Sequence, residues 1–423
     1  MKNIIFILCV LVSSSLLAQE DCSEVLNTHI KLVDQSESLI QKMVSHKSEE
    51  ITQFEISSLQ KMLTARYAHL KKTMQAYSAE NGCQPALLGE AVAIYDFTQL
   101  GSKALNDPKM RRIVNTIVKY PKYELTGLVK MYSHYTSHDF ITAFLDKLSA
   151  DKVSLPDNLS LSADIKDGKF VRSSDVALKS VSSVVSGAAR VWGFLSDKLK
   201  WRDGRLNKNE QAINLLKQNL KPLDLVFETR TFVLSNLTIP GHWGHVAVWL
   251  GTKEELEQTG VWDKEFFKPF REAVEAGKNI VEIRKPGMQF VSLEDFTNLD
   301  EIAITRINGI TDNIESVMEG LSEQLDAKYD FTFNALTPDK LTCAEMIAYS
   351  YGDIHWPGMK TILNVSLRPD DMGILTLYKD TPAEFVLYLK GNKDGSFDEK
   401  TIDDWRELFK DDLKKKELIY GLD

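Results

Sequence analysis

Clustered basic charge is missing from this chain. Lys and Arg number 51 against 60 Asp and Glu, giving a net charge of −9. Phosphate backbones and anionic lipid surfaces are held by concentrated Lys and Arg. Nucleic acid and electrostatic membrane attachment are therefore not expected as partners. Long apolar runs are also missing. Beyond the N-terminus no stretch reaches the roughly 18 apolar residues of a membrane-spanning helix, so the mature chain is expected to lack an integral membrane segment. No tandem repeat of fixed period runs through it. Cysteine is sparse, with four residues at positions 9, 22, 83 and 343.

What is present fits a globular protein with an ample core: 43% hydrophobic and 26% charged residues. A length of 423 residues allows two domains and a leader. The leader is residues 1–18. Lys2 opens it, Ile4 to Val12 is apolar, and small Ala18 precedes Gln19 as a secretory cleavage site. The alternative is an uncleaved anchor. A cleaved leader puts the protein in the periplasm or outside the cell. It also removes Cys9, and an odd number of remaining cysteines points to one unpaired thiol. Cys22 and Cys83 both lie in the N-terminal region and can pair, which leaves Cys343 free. Alternatively, all three are small buried apolar residues.

Residues 19–150 read as an α-helical domain. In Ile51 to Tyr77 apolar residues recur at spacings of three and four: Phe54, Ile56, Leu59, Met62, Leu63, Tyr67, Leu70. Residues 151–220 read as a polar linker followed by a small-residue helix, Val176 to Leu199. From 221 to 379 the character changes. Leu223–Glu228, Val246–Leu250, Ile280–Ile283 and Ile302–Ile307 are strand-like, with a helical insertion at Lys253–Ala276. Helices follow at Ile314–Ala327 and from Thr342. Strands first and helices after predict an α+β domain with an antiparallel sheet. Residues 380–423 read as a C-terminal extension with a strand at Phe385–Leu389, a turn at Gly391–Gly395 and a charged helix at Thr401–Lys416.

Thiol hydrolysis needs a thiolate, a base within reach of it and a polar group that orients the base. Cys343 follows Thr342, a good helix N-cap. That places the sulfur in a first turn, where the helix dipole favours negative charge. The base candidates are His242 and His245 in Gly241-His242-Trp243-Gly244-His245-Val246-Ala247-Val248-Trp249, and His245 leads directly into a strand. Glu282 is the polar residue within the apolar Ile280-Val281-Glu282-Ile283, and a carboxylate there can hold an imidazolium.

The segments Leu223-Asp224-Leu225-Val226-Phe227, Gly244-His245-Val246-Ala247-Val248-Trp249-Leu250-Gly251, Ile280-Val281-Glu282, Tyr329-Asp330-Phe331 and Cys343-Ala344-Glu345 together resemble the circularly permuted NlpC-like cysteine hydrolases, the YiiX/YebB-like group. In that group His precedes Cys, as here. The resemblance spans about residues 220–375. It implies a permuted papain-like (NlpC-type) domain, preceded here by the α-helical one. It further implies Cys343 as nucleophile, His245 as base, Glu282 as orienting group, Asp224 as a structural acid, Tyr329 near the active site, and no metal or cofactor. Two positions depart from the family's pattern: Leu223 stands where Gly is usual, and Ala344 where Ser is usual.

Lesser candidates have ordinary explanations beside them. His242 either replaces His245 as base or lines the substrate groove. Trp243, with His242 and Tyr329, is expected to contact substrate; as a cluster, Trp243, Trp249 and Trp262 line a groove or pack the core. Phe232 to Pro240 is a candidate lid or substrate wall. Glu345 reads as a solvated or salt-bridged helix residue. His134 and His138, four apart, lack the further ligands of a metal site, and Asn392–Asp398 reads as a plain turn rather than a calcium loop. The function expected is an exported cysteine hydrolase acting on a peptide or cell-wall-derived amide. The alternatives are lipid acyl hydrolysis or transfer, and a binding protein that retains the fold. Oligomeric state is not legible.

Overall fold

The computed structural model describes residues 22–78, 83–119, 125, 127–156, 158, 159, 161, 202–232, 241–330, 335, 340–360 and 365–413. The leader, the Val176–Leu199 segment and all but the first residue of Phe232–Pro240 lie outside them. Among the described residues no helix is long and apolar enough to cross a membrane.

Three-and-four spacing of apolar residues produces α1 (Cys22–Ser45), α2 (Gln53–Ala76), α3 (Leu87–Leu100), α4 (Pro108–Lys119), α5 (Leu128–Tyr135) and α6 (His138–Ala150). Thr52 starts α2. Its hydroxyl accepts the Glu55 N–H at 3.1 Å, and Glu55 accepts the Thr52 N–H at 3.1 Å. Such a reciprocal cap contributes on the order of 1 kcal/mol. Cys22 and Cys83 are joined by a disulfide. Arg66 of α2 ties three helices through Asp96 of α3 at 3.0 Å and through Ser36 at 2.7 Å and Glu37 at 3.3 Å on α1. A buried guanidinium is tolerated only when its donors are matched in this way.

A separate helix, α7 (Glu210–Asn219), leads into a seven-stranded antiparallel sheet. Its strands are β1 (Leu225–Thr229), β2 (His245–Trp249), β3 (Ile280–Ile283), β4 (Met288–Val291), β5 (Glu301–Ile307), β10 (Ala383–Gly391) and β11 (Phe397–Glu399), in the order β11-β10-β5-β1-β2-β3-β4. Short pairs form between β6 (Lys328–Tyr329) and β7 (Lys340–Leu341), and between β8 (Met359–Lys360) and β9 (Val365–Ser366). The insertion after β2 breaks into separate helices, the longest α8 (Lys268–Glu275), and β5 is followed by α9 (Ile314–Ser322) and α10 (Cys343–Ser350). Both faces of the sheet are covered, so β1 and β2 are buried at every position and read as continuous apolar runs. Leu225, Phe227, Val246 and Val248 face the α10 side, and Val226, Ala247 and Trp249 share a core with α7.

Entry into β1 carries a local conflict. Leu223 has φ 70°, in the left-handed region that favours glycine. That conformation costs about 1–2 kcal/mol, while full burial of the leucine side chain contributes about 1.5–3 kcal/mol. Burial wins, which explains how leucine holds the position. Asp224 next to it is fully buried and accepts two bonds from Arg306, both 2.7 Å, a structural role.

The sheet extends beyond residue 379. β10 pairs with β5 from Ala383↔Ile307 to Lys390↔Glu301, with a bulge between Phe385 and Leu387. After the Asn392–Ser396 turn, the helix α11 (Ile402–Leu408) drives Trp405 into a cluster with Phe227, Trp243 and Phe385. Residues read as an extension therefore complete the sheet. Their charged turns and exposed positions hide that role in the sequence. β4 and β11 have no sequence counterpart above, because as edge strands they are only partly buried and lack a clear alternation.

All eight residues of α10 are buried, between β2 on one side and α2 on the other. Leu59 of α2 and Ile347 of α10 belong to one continuous apolar cluster. Polar contacts border it: Thr52 Oγ1 donates to Asp353 at 3.0 Å and Gln53 Nε2 to the Ala335 carbonyl at 3.3 Å. A shared core predicts cooperative unfolding. Calorimetry on the whole chain should show one transition for helices and sheet together; two well-separated transitions would contradict the shared core.

Candidate active site

The position of Cys343 is built by a helix start. Thr342 caps α10, its hydroxyl accepting the Glu345 N–H at 3.3 Å while Glu345 accepts the Thr342 N–H at 2.8 Å. Cys343 is the first helical residue. N–H groups of a first turn have no partner within the helix and favour an anion beside them. Cys343 is the free cysteine among the described residues and is 4% exposed.

His245 opens β2, and its Nε2 lies 2.8 Å from Glu282 Oε2 on neighbouring β3. Its remaining ring nitrogen, Nδ1, is the one left for the hydrogen bond with the Cys343 thiol. The Val246 N–H donates to the same sulfur. Glu282 has further donors. Gln289 Nε2, its cross-strand partner on β4, reaches Oε1 at 2.6 Å, and Arg284 Nε reaches Oε2 at 2.9 Å. Arg284 also bonds Glu228 at 2.5 Å, and Glu228 stands opposite His245 in the β1–β2 register.

These contacts set the charges. Burial pushes the His245 pKa down and Arg284 adds to that, but Cys343 and Glu282 outweigh both and raise it to about 9. Burial pushes the Cys343 thiol up, yet His245, the Val246 N–H and Arg284 bring it below the ordinary thiol value. Burial likewise opposes ionisation of Glu282, and Arg284, His245 and Gln289 hold it well below the usual carboxylate range. At neutral pH these shifts hold His245 as an imidazolium and Glu282 as a carboxylate, and they favour ionisation of the Cys343 thiol beside them.

The His, Glu, Cys order and their convergence at one end of an antiparallel sheet can be set beside known proteins. Residues 219–390 match the family described as permuted papain-like amidase enzyme, YaeF/YiiX, C92 family. This region is a permuted papain-like domain of that family. No curated protein and no solved structure matched the chain. The family match excludes α1–α6 and takes in nearly all of β10.

The permuted papain-like domain brings Cys343, His245 and Glu282 together. Tyr329 lies close by in chain terms: it pairs in register with Leu341, two residues before the cysteine, and is half-buried. His242 is turned elsewhere. Its Nε2 lies 3.0 Å from Glu301, which also takes Lys390 at 2.8 Å. Its N–H and that of Trp243 donate to Asp370 at 2.8 and 2.7 Å. Gly241, at φ 128°, lets the chain pass so close to Asp370 that a Cβ would collide with the carboxylate.

Two expectations are corrected. Trp243 was expected against substrate, but it is 1% exposed and packs on Phe227, Tyr388 and Trp405; the Asp370 clamp turns it into the core. Glu345 was read as solvated or salt-bridged, but it is fully buried, because the reciprocal cap folds it back over the helix start. Burial, with Asp330 beside it, pushes its pKa well above the ordinary 4.5, against the pull of the Thr342 N–H. Trp249 and Trp262 are also core residues. Among the described residues no cluster of His, Cys, Asp and Glu is arranged to hold a metal ion.

Arg284, Gln289 and Glu228 escape the sequence reading. Arg284 leaves a faint trace, two residues beyond Glu282 and so on the same side of a strand. Gln289 and Glu228 become neighbours only through strand register.

Glu345 provides a test. A carboxyl whose folded pKa is raised loses stability as pH climbs from the unfolded value toward the folded one. Glu345→Gln keeps an acceptor for the Thr342 N–H but cannot ionise. Its melting temperature relative to the parent should therefore rise as pH climbs above the ordinary carboxyl value of 4.5. A difference that stays constant over that climb would contradict a protonated Glu345.

Proposed function

We propose that the chain is an exported cysteine hydrolase that cleaves an amide bond in a peptide, with cell-wall peptide the substrate to try first. The observation that carries this reading is the free Cys343 at a helix start beside the His245–Glu282 pair. Export is supported by the leader-like first 18 residues and by the Cys22–Cys83 disulfide, since disulfides persist in oxidising compartments.

In the proposed reaction the Cys343 thiolate attacks the amide carbonyl carbon. N–H groups at the start of α10 face the developing oxyanion. The His245 imidazolium gives its proton to the departing amine as the C–N bond breaks. A thioester remains, and neutral His245 takes a proton from water, which attacks the acyl carbon. The tetrahedral species expels the Cys343 thiolate, and His245 keeps the proton, restoring the resting ion pair. Glu282 holds the ring in place and offsets its positive charge throughout. Half-buried Tyr329 is the side chain proposed to meet substrate.

Purified full chain should release amines from peptidoglycan-derived peptides faster than it cleaves lipid esters. A preference for the esters would move the assignment to lipid deacylation. Cys343→Ala should abolish turnover, and Glu282→Gln should lower kcat/KM by about a hundredfold or more. A Cys343→Ala variant as fast as its parent would sink the reading.

The pH profile follows from His245, whose charged form donates the proton. Activity should fall on the alkaline side through about 9, the value to which its two anionic neighbours raise it. An alkaline limb near the ordinary histidine value would mean that the imidazolium is not held as described.

A further inference from the structure

Nothing in the hydrolase chemistry requires an arginine, yet one sits at the centre of the charged groups. Arg284 extends one fork to two different strands, to Glu282 at 2.9 Å on β3 and to Glu228 at 2.5 Å on β1. The two carboxylates are 3% and 4% exposed, and the arginine 28%. From Glu228 the charges alternate inward to the Cys343 sulfur: carboxylate, guanidinium, carboxylate, imidazolium. Arg230 holds the outer Glu228 oxygen at 3.0 Å. Facing the thiol from α10 is Glu345, with Asp330 beyond it.

We propose that Arg284, counter-anchored by Glu228, is a positioning residue that fixes the rotamer and charge of Glu282 and biases the Cys343–His245 pair toward the thiolate. This rests on the hydrolase reading of Cys343. The geometry supports it in two ways. Arg284 shares the Glu282 oxygen that holds His245, so the carboxylate cannot rotate away without breaking both bonds. Its charge is also close enough to favour the thiolate and to oppose the imidazolium. Glu228 acts with the opposite sign, since its negative charge favours a protonated His245 and tempers the arginine.

Opposite signs separate this role from a merely structural one. The measurement is the pH dependence of iodoacetamide alkylation at Cys343, read by mass spectrometry of the peptide that contains it. Accessibility scales the rate at every pH, whereas the midpoint reports thiolate formation. Arg284→Gln removes the charge and keeps a donor. Its midpoint should rise by about one pH unit, a roughly tenfold slower reaction below the midpoint. Glu228→Gln should lower the midpoint, and Arg284→Lys should return it toward the parent value.

Midpoints that do not move, or that move in the same direction in the Arg284→Gln and Glu228→Gln variants, would overturn the proposal. Each sign stands as a test if only one variant folds. A parent thiol that titrates like an ordinary cysteine would instead sink the hydrolase reading, so the two failures are distinguishable.

Discussion

A charge taken out of water must find a partner, and the site is organised around that rule. Cys343, His245 and Glu282 are each nearly inaccessible. An isolated ion in such a place costs several kcal/mol. The hydrogen bond between His245 and Glu282 makes the imidazolium tolerable there, and the imidazolium favours ionisation of the thiol. Remove either partner and the other would be driven toward its neutral form. The remaining structure serves this arrangement. Strand register brings Glu228 opposite His245 and Gln289 opposite Glu282, and a cap on α10 aims the sulfur at the imidazole.

Much of this was legible before any coordinates. Five sheet strands were visible as apolar runs, because a sheet covered on both faces leaves such runs. The Thr342 cap was visible because capping chemistry is local. His245 and Cys343 stood out at a strand start and a helix start, and Glu282 as the polar residue inside an apolar strand. What was not legible depends on register. Gln289 sits on a half-buried edge strand, and Glu228 looked like the end of an apolar run. Trp243 was misjudged for a related reason: only Asp370, far along the chain, turns that indole inward. Glu345 was misjudged because a capping glutamate is ordinarily wet, and here every residue of α10 is buried.

The helical region is more than an appendage placed before a catalytic domain. α2 lies against α10, and the two regions share one apolar cluster. Gln53 donates to the Ala335 carbonyl, which also receives the Tyr349 hydroxyl of α10 at 3.4 Å. The helix that carries Cys343 is thus braced from both sides. Packed cores resist small displacements, so a substitution on α2 can disturb the position of the sulfur without touching it.

The placement of the cysteines has a consequence for how the chain is made. Cys22 and Cys83 lie close in sequence and are bridged, while Cys343 comes far downstream. A chain threaded into an oxidising compartment from its N-terminus can close the first pair before the third sulfur arrives. Under the proposed export, the order of synthesis would guard the proposed nucleophile from being captured in the wrong cross-link, a protection that a cysteine encoded between the other two would not enjoy.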